Sequence, residues 1–174
     1  MLEADFNDVS LAAEFDVVCY WDGFGIGSDA DQRRLLRRIA AEWLQPGGSA
    51  LIDVFSPYRW ALETGREWRL DRNHSSHRYR QRRRFDFDPM QGCFLDEWCP
   101  IDDETGICDE ARAITQRIRW YSPADLQLLL EGTGLSLEHL EVDGMPFDFR
   151  AAEHTAQSAL WKAWSYLVKL VATA

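Results

Sequence analysis

Apolar runs and helical spacings alternate along the first third of the chain. Phe15-Asp16-Val17-Val18-Cys19-Tyr20-Trp21 is apolar and β-branched, the composition of a strand buried on both faces. It runs into Asp22-Gly23-Phe24-Gly25-Ile26-Gly27, a turn-rich loop. Ser28 stands three residues before Asp31, a capping box, and Leu35, Leu36, Ile39, Ala40, Trp43 and Leu44 recur at helical spacing. Pro46-Gly47-Gly48 is expected to stop that helix, and Ala50-Leu51-Ile52-Asp53-Val54-Phe55 forms a second buried run. Strand, helix and strand with short connections predict a βαβ unit with parallel strands and a right-handed crossover.

From about residue 67 to 121 the helical period gives way to alternation. Ile114, Gln116, Ile118 and Trp120 fall on one face, and Thr115, Arg117, Arg119 and Tyr121 on the other. Asp88-Pro89-Met90-Gln91-Gly92 and Asp102-Asp103-Glu104-Thr105-Gly106 carry turn chemistry between extended runs. An antiparallel meander over 66–121, inserted into an α/β domain, fits this pattern. Its first arm holds Arg78, Arg80, Arg82, Arg83 and Arg84 around Tyr79, read as a solvated face balanced by the acidic hairpin turns. Ser122-Pro123-Ala124-Asp125 starts a helix with Leu126, Leu129 and Leu130 as its buried stripe. Gly132 and Gly134 end it, and 135–142 reads as a strand. The last stretch, 166–171, fits strand and helix equally by period. No internal repeat or linker interrupts the chain, which is expected to form one domain over 1–174.

Composition narrows the class. The 174 residues carry 19 Lys plus Arg against 29 Asp plus Glu, a net charge of -10, with 46% hydrophobic residues and 8 Trp. Such a chain can bury a core, which excludes disorder and a disulfide-stapled mini-fold. The acidic balance argues against gripping nucleic acid through its phosphates. No run approaches the roughly 20 apolar residues of a membrane span. Glu3 and Asp5 break any basic-then-apolar signal pattern, so a cytoplasmic protein is expected. Cys19, Cys93, Cys99 and Cys108 are spaced too irregularly for a zinc ribbon or a CxxC pair, so packed, reduced thiols are expected.

Two motifs admit more than one chemistry. Gly23, Gly25 and Gly27 between a strand and a helix imitate a dinucleotide-binding loop with Asp53 as ribose partner, though the spacing is one residue short. A glycine-rich structural loop is the competing reading. His74-Ser75-Ser76-His77 offers two imidazoles three apart ahead of a strand, without a third ligand, so no metal is expected there. No GxSxG elbow, P-loop or HExxH is present.

FDVVCYWDGFG, a helix closing in LQPGG, SALIDVF, an antiparallel insertion and RWYSPADLQLLLEGTGL, in that order, resemble the second half of class I S-adenosylmethionine-dependent methyltransferases acting on small molecules. The resemblance runs from Ala4 onward. It implies an α/β fold: an incomplete Rossmann-like methyltransferase sheet, the equivalents of strands four to seven, with the meander inserted. It makes the glycine loop the rim loop after the fourth strand and the C-terminal stretch a last antiparallel strand. It also implies site residues. Asp5 and Phe6 would hold adenine, while Cys19, Tyr20 and Trp21 would line the methionine end. Phe24, Tyr58, His74, Trp120 and Tyr121 would form the substrate chamber, with His77 as base.

The family's cofactor glycine motif after the first strand, the acidic end of the second and most of the third strand have no counterpart, about two βαβ units of 30 residues. The fourth strand is then expected as an unpaired edge that recruits a complementary N-terminal polypeptide, a second copy of the chain or a rearranged part of the chain itself. S-adenosylmethionine would bind only once the site is completed. The expected function is the C-terminal portion or subunit of such a methyltransferase. The rivals are a non-methylating protein on the same scaffold, as auxiliary subunit or cofactor-independent enzyme, and a nicotinamide-dependent oxidoreductase using the glycine loop.

Overall fold

The structure is a computed structural model that describes residues 3, 5–6, 8–11, 15–71, 80–147 and 159–173. The expected single domain divides into two compact units, Met1–Arg59 with Arg119–Ala174, and Trp60–Ile118. The second unit overlaps the inserted segment expected at 66–121. Each has its own sheet and buried side chains, which is why they separate.

The first unit is built on a five-stranded sheet in the order β1-β2-β9-β7-β8, with β1 at Phe15–Tyr20, β2 at Leu44–Phe55, β7 at Leu135–Val142, β8 at Met145–Phe147 and β9 at Ser165–Ala172. β1 lies parallel to β2, as the βαβ reading requires, whereas β9 runs antiparallel to both β2 and β7. The C-terminal stretch that periodicity left open is therefore a strand. Pairing decided it, because each residue from Ser165 to Val171 lies opposite one of β2. Tyr166, Val168 and Leu170 point inward at the two-residue alternation of a strand, whereas Leu167, which shares a helical spacing with Ala159, Ala163 and Leu170, is only half-buried.

Helix α1, Asp29–Arg38, follows the glycine loop. Ser28 Oγ accepts from the Asp31 amide and Asp31 answers to the Ser28 amide, the expected capping box. A π-helical turn, Ile39–Trp43, extends the helix. Helix α3, Pro123–Leu130, repeats the box with Ser122 and Asp125. Leu35, Leu36, Ile39, Trp43, Leu126, Leu129 and Leu130 from these helices form one core with Ala50, Ile52, Val54, Tyr166, Val168 and Leu170 of the sheet. The short helix α2, Pro57–Leu62, has no expectation behind it.

Two expectations need correction. Pro46-Gly47-Gly48 does not stop the helix, which has ended by Trp43. It lies inside β2 as a bulge, where the pairing jumps from Phe15↔Leu44 to Val17↔Ser49. The runs read as buried on both faces are not. β2 alternates buried and half-buried positions from Gly48 onward, and β1 is mostly open, with Phe15 39% and Val17 48% exposed. The described helices cover one face of this sheet, so the side chains of the other face keep contact with solvent.

The second unit is an antiparallel sheet in the order β3-β4-β5-β6, with β3 at Glu67–Leu70, β4 at Gln81–Asp88, β5 at Cys93–Pro100 and β6 at Ile114–Arg119, whose last residue belongs to the first unit. The meander expectation holds. Asp88 Oδ1 caps the β4–β5 turn by accepting from the Met90 and Gln91 amides, and Asp102 does the same for Glu104 and Thr105. The arginines of β4 differ from expectation. Arg83 Nε donates to Asp96 of β5 at 2.9 Å, and Arg82 meets Glu97 of β5 and Glu110 of the 3-10 turn after it, each at 2.9 Å. Burial raises the Asp96 carboxyl against the pull of Arg83, and burial pushes the Cys99 thiol up to about 11. Trp60 stacks on Phe94 with ring centres 4.6 Å apart. No helix of the described residues is long and apolar enough to cross a membrane.

The bulge in β2 sets where β1 lies. A Cβ on Gly48 would stand 3.0 Å from the carbonyl oxygens of Phe15, Asp16 and Gln45, all backbone atoms that cannot rotate away. Gly48→Ala is expected to cost about 1–3 kcal/mol in urea unfolding, as overpacking does. A loss below about 0.5 kcal/mol would show that β1 can shift freely.

Candidate functional site

In an open sheet with parallel strands, ligands collect beyond the carboxyl ends of those strands. Here the carboxyl end of β1 leads through Trp21 and Asp22 into the glycine loop, and that of β2 leads through Ser56 into Tyr58 and Arg59. Four predicted site residues meet there in a line. The Phe6 and Tyr20 ring centres are 5.5 Å apart, Tyr20 and Phe24 6.2 Å, and Phe24 and Tyr121 5.6 Å. The line runs from surface to core. Phe6 is 37% exposed, Tyr20 is half-buried, and Phe24 and Tyr121 are fully buried.

The loop is held rigidly. Asp22 takes a left-handed backbone with φ 54°, and Gly25 and Gly27 follow at 108° and 99°. The buried Gln32 of α1 spans the turn: its Oε1 accepts from the Gly25 amide at 3.2 Å and its Nε2 donates to the Ile26 carbonyl at 2.6 Å. From the other side the Arg119 amide donates to the Gly25 carbonyl at 2.8 Å. Tyr20 closes the loop by donating its hydroxyl to the Gly23 carbonyl at 2.9 Å, and burial raises its pKa.

Below the loop, Asp29 gathers the remaining polar groups. Its Oδ1 accepts from Tyr121 Oη at 2.8 Å and from Arg119 Nε at 3.1 Å. Tyr166, fully buried and with its pKa well above the usual value because of that burial, donates to the Tyr121 carbonyl at 2.8 Å. Tyr121 is thus fixed at ring, hydroxyl and carbonyl. Arg119 lies over the rings of Trp120 and Tyr121, 5.3 and 4.9 Å from their centres.

This geometry speaks against a dinucleotide loop. The Asp31 amide of α1 is taken by Ser28 Oγ, and Asp29 and Asp31 stand in the first turn, so a pyrophosphate would meet two carboxylates. Asp53, the ribose partner in that reading, lies within β2 opposite Leu167.

The other predicted residues are placed as follows. Cys19 and Trp21 are exposed at the carboxyl end of β1, Trp21 at 52%. Asp5 is exposed, and its carbonyl accepts from the Val9 amide at 2.8 Å. Tyr58 stacks on Trp161 with ring centres 5.1 Å apart, and burial, then the charge of Asp125, raises its pKa. His74 and His77 lie outside the described residues.

Sequence reasoning passed over several residues that build the site. Ser56 ties the end of β2 to the 159–164 segment, its amide donating to the Trp164 carbonyl and its hydroxyl to that of Leu160. Trp161 and Trp164 join Tyr58 and Arg59 as an aromatic shelf, with Arg59 4.7 Å above Trp164. Gln32 was detectable: it is the one polar member of an otherwise apolar stripe at 32, 35, 36 and 39.

No protein-family model matches the chain, and no curated protein matches it. Solved structures do. The CcbJ methyltransferase from Streptomyces caelestis aligns with a TM-score of 0.72 at 19% identity, over 98% of this chain and 62% of its own. An S-adenosylmethionine-dependent methyltransferase from Clostridium acetobutylicum ATCC 824 gives 0.68 at 12% identity, over 98% and 63%. CalS10, an amino pentose methyltransferase from Micromonospora echinaspora involved in calicheamicin biosynthesis and solved with S-adenosylmethionine bound, gives 0.55 at 16% identity, over 98% and 63%. The chain thus spans about three fifths of the length of each. Its fold is that of the class I S-adenosylmethionine-dependent methyltransferases, as the sequence motifs imply.

Replacing Gln32 by Leu leaves the Gly25 amide and Ile26 carbonyl without their partner. At about 1–3 kcal/mol per buried group left unsatisfied, Gln32→Leu is expected to lose about 2–4 kcal/mol in urea unfolding and to open the loop to limited proteolysis at 22–27. Unchanged stability and an uncut loop would remove Gln32 from its place in the site.

Proposed function

We propose that this chain is the C-terminal portion or subunit of an S-adenosylmethionine-dependent methyltransferase acting on a small molecule, and that polypeptide pairing along β1 completes its cofactor site. One observation carries the reading. In a fold whose parallel strands are interior, β1 has β2 as its sole strand neighbour among the described residues and presents Phe15 and Val17 to solvent. Such an edge is a template for another strand. The completing segment can be continuous with this chain, a separate polypeptide or a second copy. The same reading makes the protein cytoplasmic.

The residues present fit the cofactor. The aromatic faces of Phe6 and Trp21 are open at the carboxyl end of β1, next to Cys19 and Tyr20, and aromatic faces attract a cationic group. S-adenosylmethionine, when bound, supplies a sulfonium methyl open to displacement by a nucleophilic O, N or C. In this reading Asp5 and Phe6 hold the adenine, and Cys19, Tyr20 and Trp21 line the methionine end. Phe24 and Tyr121 act from within the core as the fixed wall behind the loop, with Tyr58 and Trp120 toward substrate. Their contribution is alignment and exclusion of water. His74 belongs to the substrate set, and His77 takes the proton that a protonated nucleophile gives up.

Two measurements test the proposal. Calorimetric titration of S-adenosylmethionine into the 174-residue chain alone is expected to give no binding, and binding is expected when the polypeptide encoded directly upstream is present, fused or separate. Binding by the chain alone contradicts the completion requirement, and no binding in either case favours the non-methylating scaffold. In the completed protein, His77→Gln is expected to abolish the acidic limb of the pH–rate profile that a histidine base produces. An unaltered profile would dismiss His77 as the base.

A further inference from the structure

We propose that Cys99, Cys108 and Glu110 form a binding site for a thiophilic divalent cation, Zn2+ foremost, in the antiparallel unit. The inference does not depend on the methyltransferase reading. Backbone register brings the three together. Ile101 bridges Cys108 in antiparallel sense, the Asp109 amide donates to the Pro100 carbonyl at 2.8 Å, and the Asp102 amide donates to the Ile107 carbonyl at 2.9 Å. This bridge places Cys108 diagonal to Cys99, and Glu110 opens the one-turn 3-10 helix Glu110–Arg112 that follows. The two Sγ atoms and a carboxylate oxygen of Glu110 lie within 4.8 Å of one another. Tetrahedral coordination with Zn–S bonds of about 2.3 Å and Zn–O bonds of about 2.0–2.2 Å sets the ligand atoms about 3.6–3.8 Å apart. Small side-chain rotations close the difference.

The surroundings suit a cation better than a bare thiol pair. Cys99 is fully buried, Cys108 half-buried and Glu110 exposed, a graded path by which an ion enters. Arg82 holds Glu110 with Nη1–Oε1 at 2.9 Å and Nη2–Oε2 at 3.1 Å, and a carboxylate so held keeps further lone pairs for a metal. Arg82 also meets Glu97 and, at 3.9 Å, Glu67, so one guanidinium faces three carboxylates. On binding, each thiol releases its proton to solvent, so the two thiolates balance the charge of a divalent ion. A disulfide is the competing use of the pair. Diagonal neighbours across antiparallel strands have Cα atoms about 7–8 Å apart, beyond the roughly 6.8 Å that a disulfide spans. An ion bridges such a pair without moving the backbone, and water takes the fourth position. Spacing concealed the site, since the ligands follow strand register and no short motif.

The probe is Co2+ alone, added to the full chain after reduction and removal of the reductant. One equivalent is expected to produce a thiolate-to-metal charge-transfer band with the visible bands of a tetrahedral ion, and Zn2+ is expected to displace it. Cys108→Ala, at a half-buried position, should lose most of the band while far-ultraviolet circular dichroism shows the fold intact, and Cys99→Ala should lose it likewise. Cys19→Ala, at an exposed thiol of the other unit, should keep it. Absence of the band in the reduced chain overturns the proposal, as does its persistence in Cys108→Ala. So does a Cys99–Cys108 disulfide in mass spectrometry of a chain that takes up no metal when reduced.

Discussion

The first unit depends on the hydrogen bonding of β2. This strand pairs with β1 on one side and β9 on the other, so it alone links the parallel edge to the antiparallel half of the sheet. Its inward residues Ala50, Ile52 and Val54 sit in the core, and its bulge at Gly47 and Gly48 lets the β1 carbonyls approach closely. β1 has its partner on one side only among the described residues. Unpaired amides and carbonyls on a strand of this apolarity are a liability that natural sheets cover, shorten or charge. β1 carries one charge, Asp16, and among the described residues leaves Phe15, Val17 and Cys19 exposed on one of its faces. The functional proposal follows from that imbalance.

The same pairing positions the chemistry. Because β1 and β2 are parallel, their carboxyl ends open on one side, and the glycine loop, Tyr58 and the Trp161 shelf stand there. Gln32 and the Arg119 amide grip the loop from opposite sides, and Asp29 collects Tyr121 and Arg119 beneath it. The core and the rim are therefore joined by hydrogen bonds, and the bonded Gln32, Tyr121 and Tyr166 fix the geometry. Preorganisation of this kind suits a reaction whose catalysis is mostly alignment.

Local chemistry made much of this legible in the sequence. Both capping boxes, both Asp-led turns, the βαβ unit and the alternation of the meander follow from neighbours a few residues apart, and the structure has them where the residues imply. Features set by distant partners were not legible. Period could not make 166–171 a strand, because only pairing with β2 does so. The apolar run of β1 reads as buried, since composition reports what a strand is fit to pack against and not what surrounds it. The LQPGG segment reads as a helix stop, yet its glycines serve a bulge. Of the site, the motif-borne residues Phe6, Tyr20, Phe24 and Tyr121 come together, whereas Ser56, Trp161 and Trp164 belong to no motif and emerge only in three dimensions.

Amide hydrogen exchange along Phe15–Tyr20 tests the central claim most directly. The account predicts that in the 174-residue chain alone the β1 amides not bonded to β2 exchange far faster than those of β9, and that they become protected when the upstream polypeptide is present. Protection of β1 equal to that of β9 in the chain alone, or no gain with that polypeptide, would contradict it.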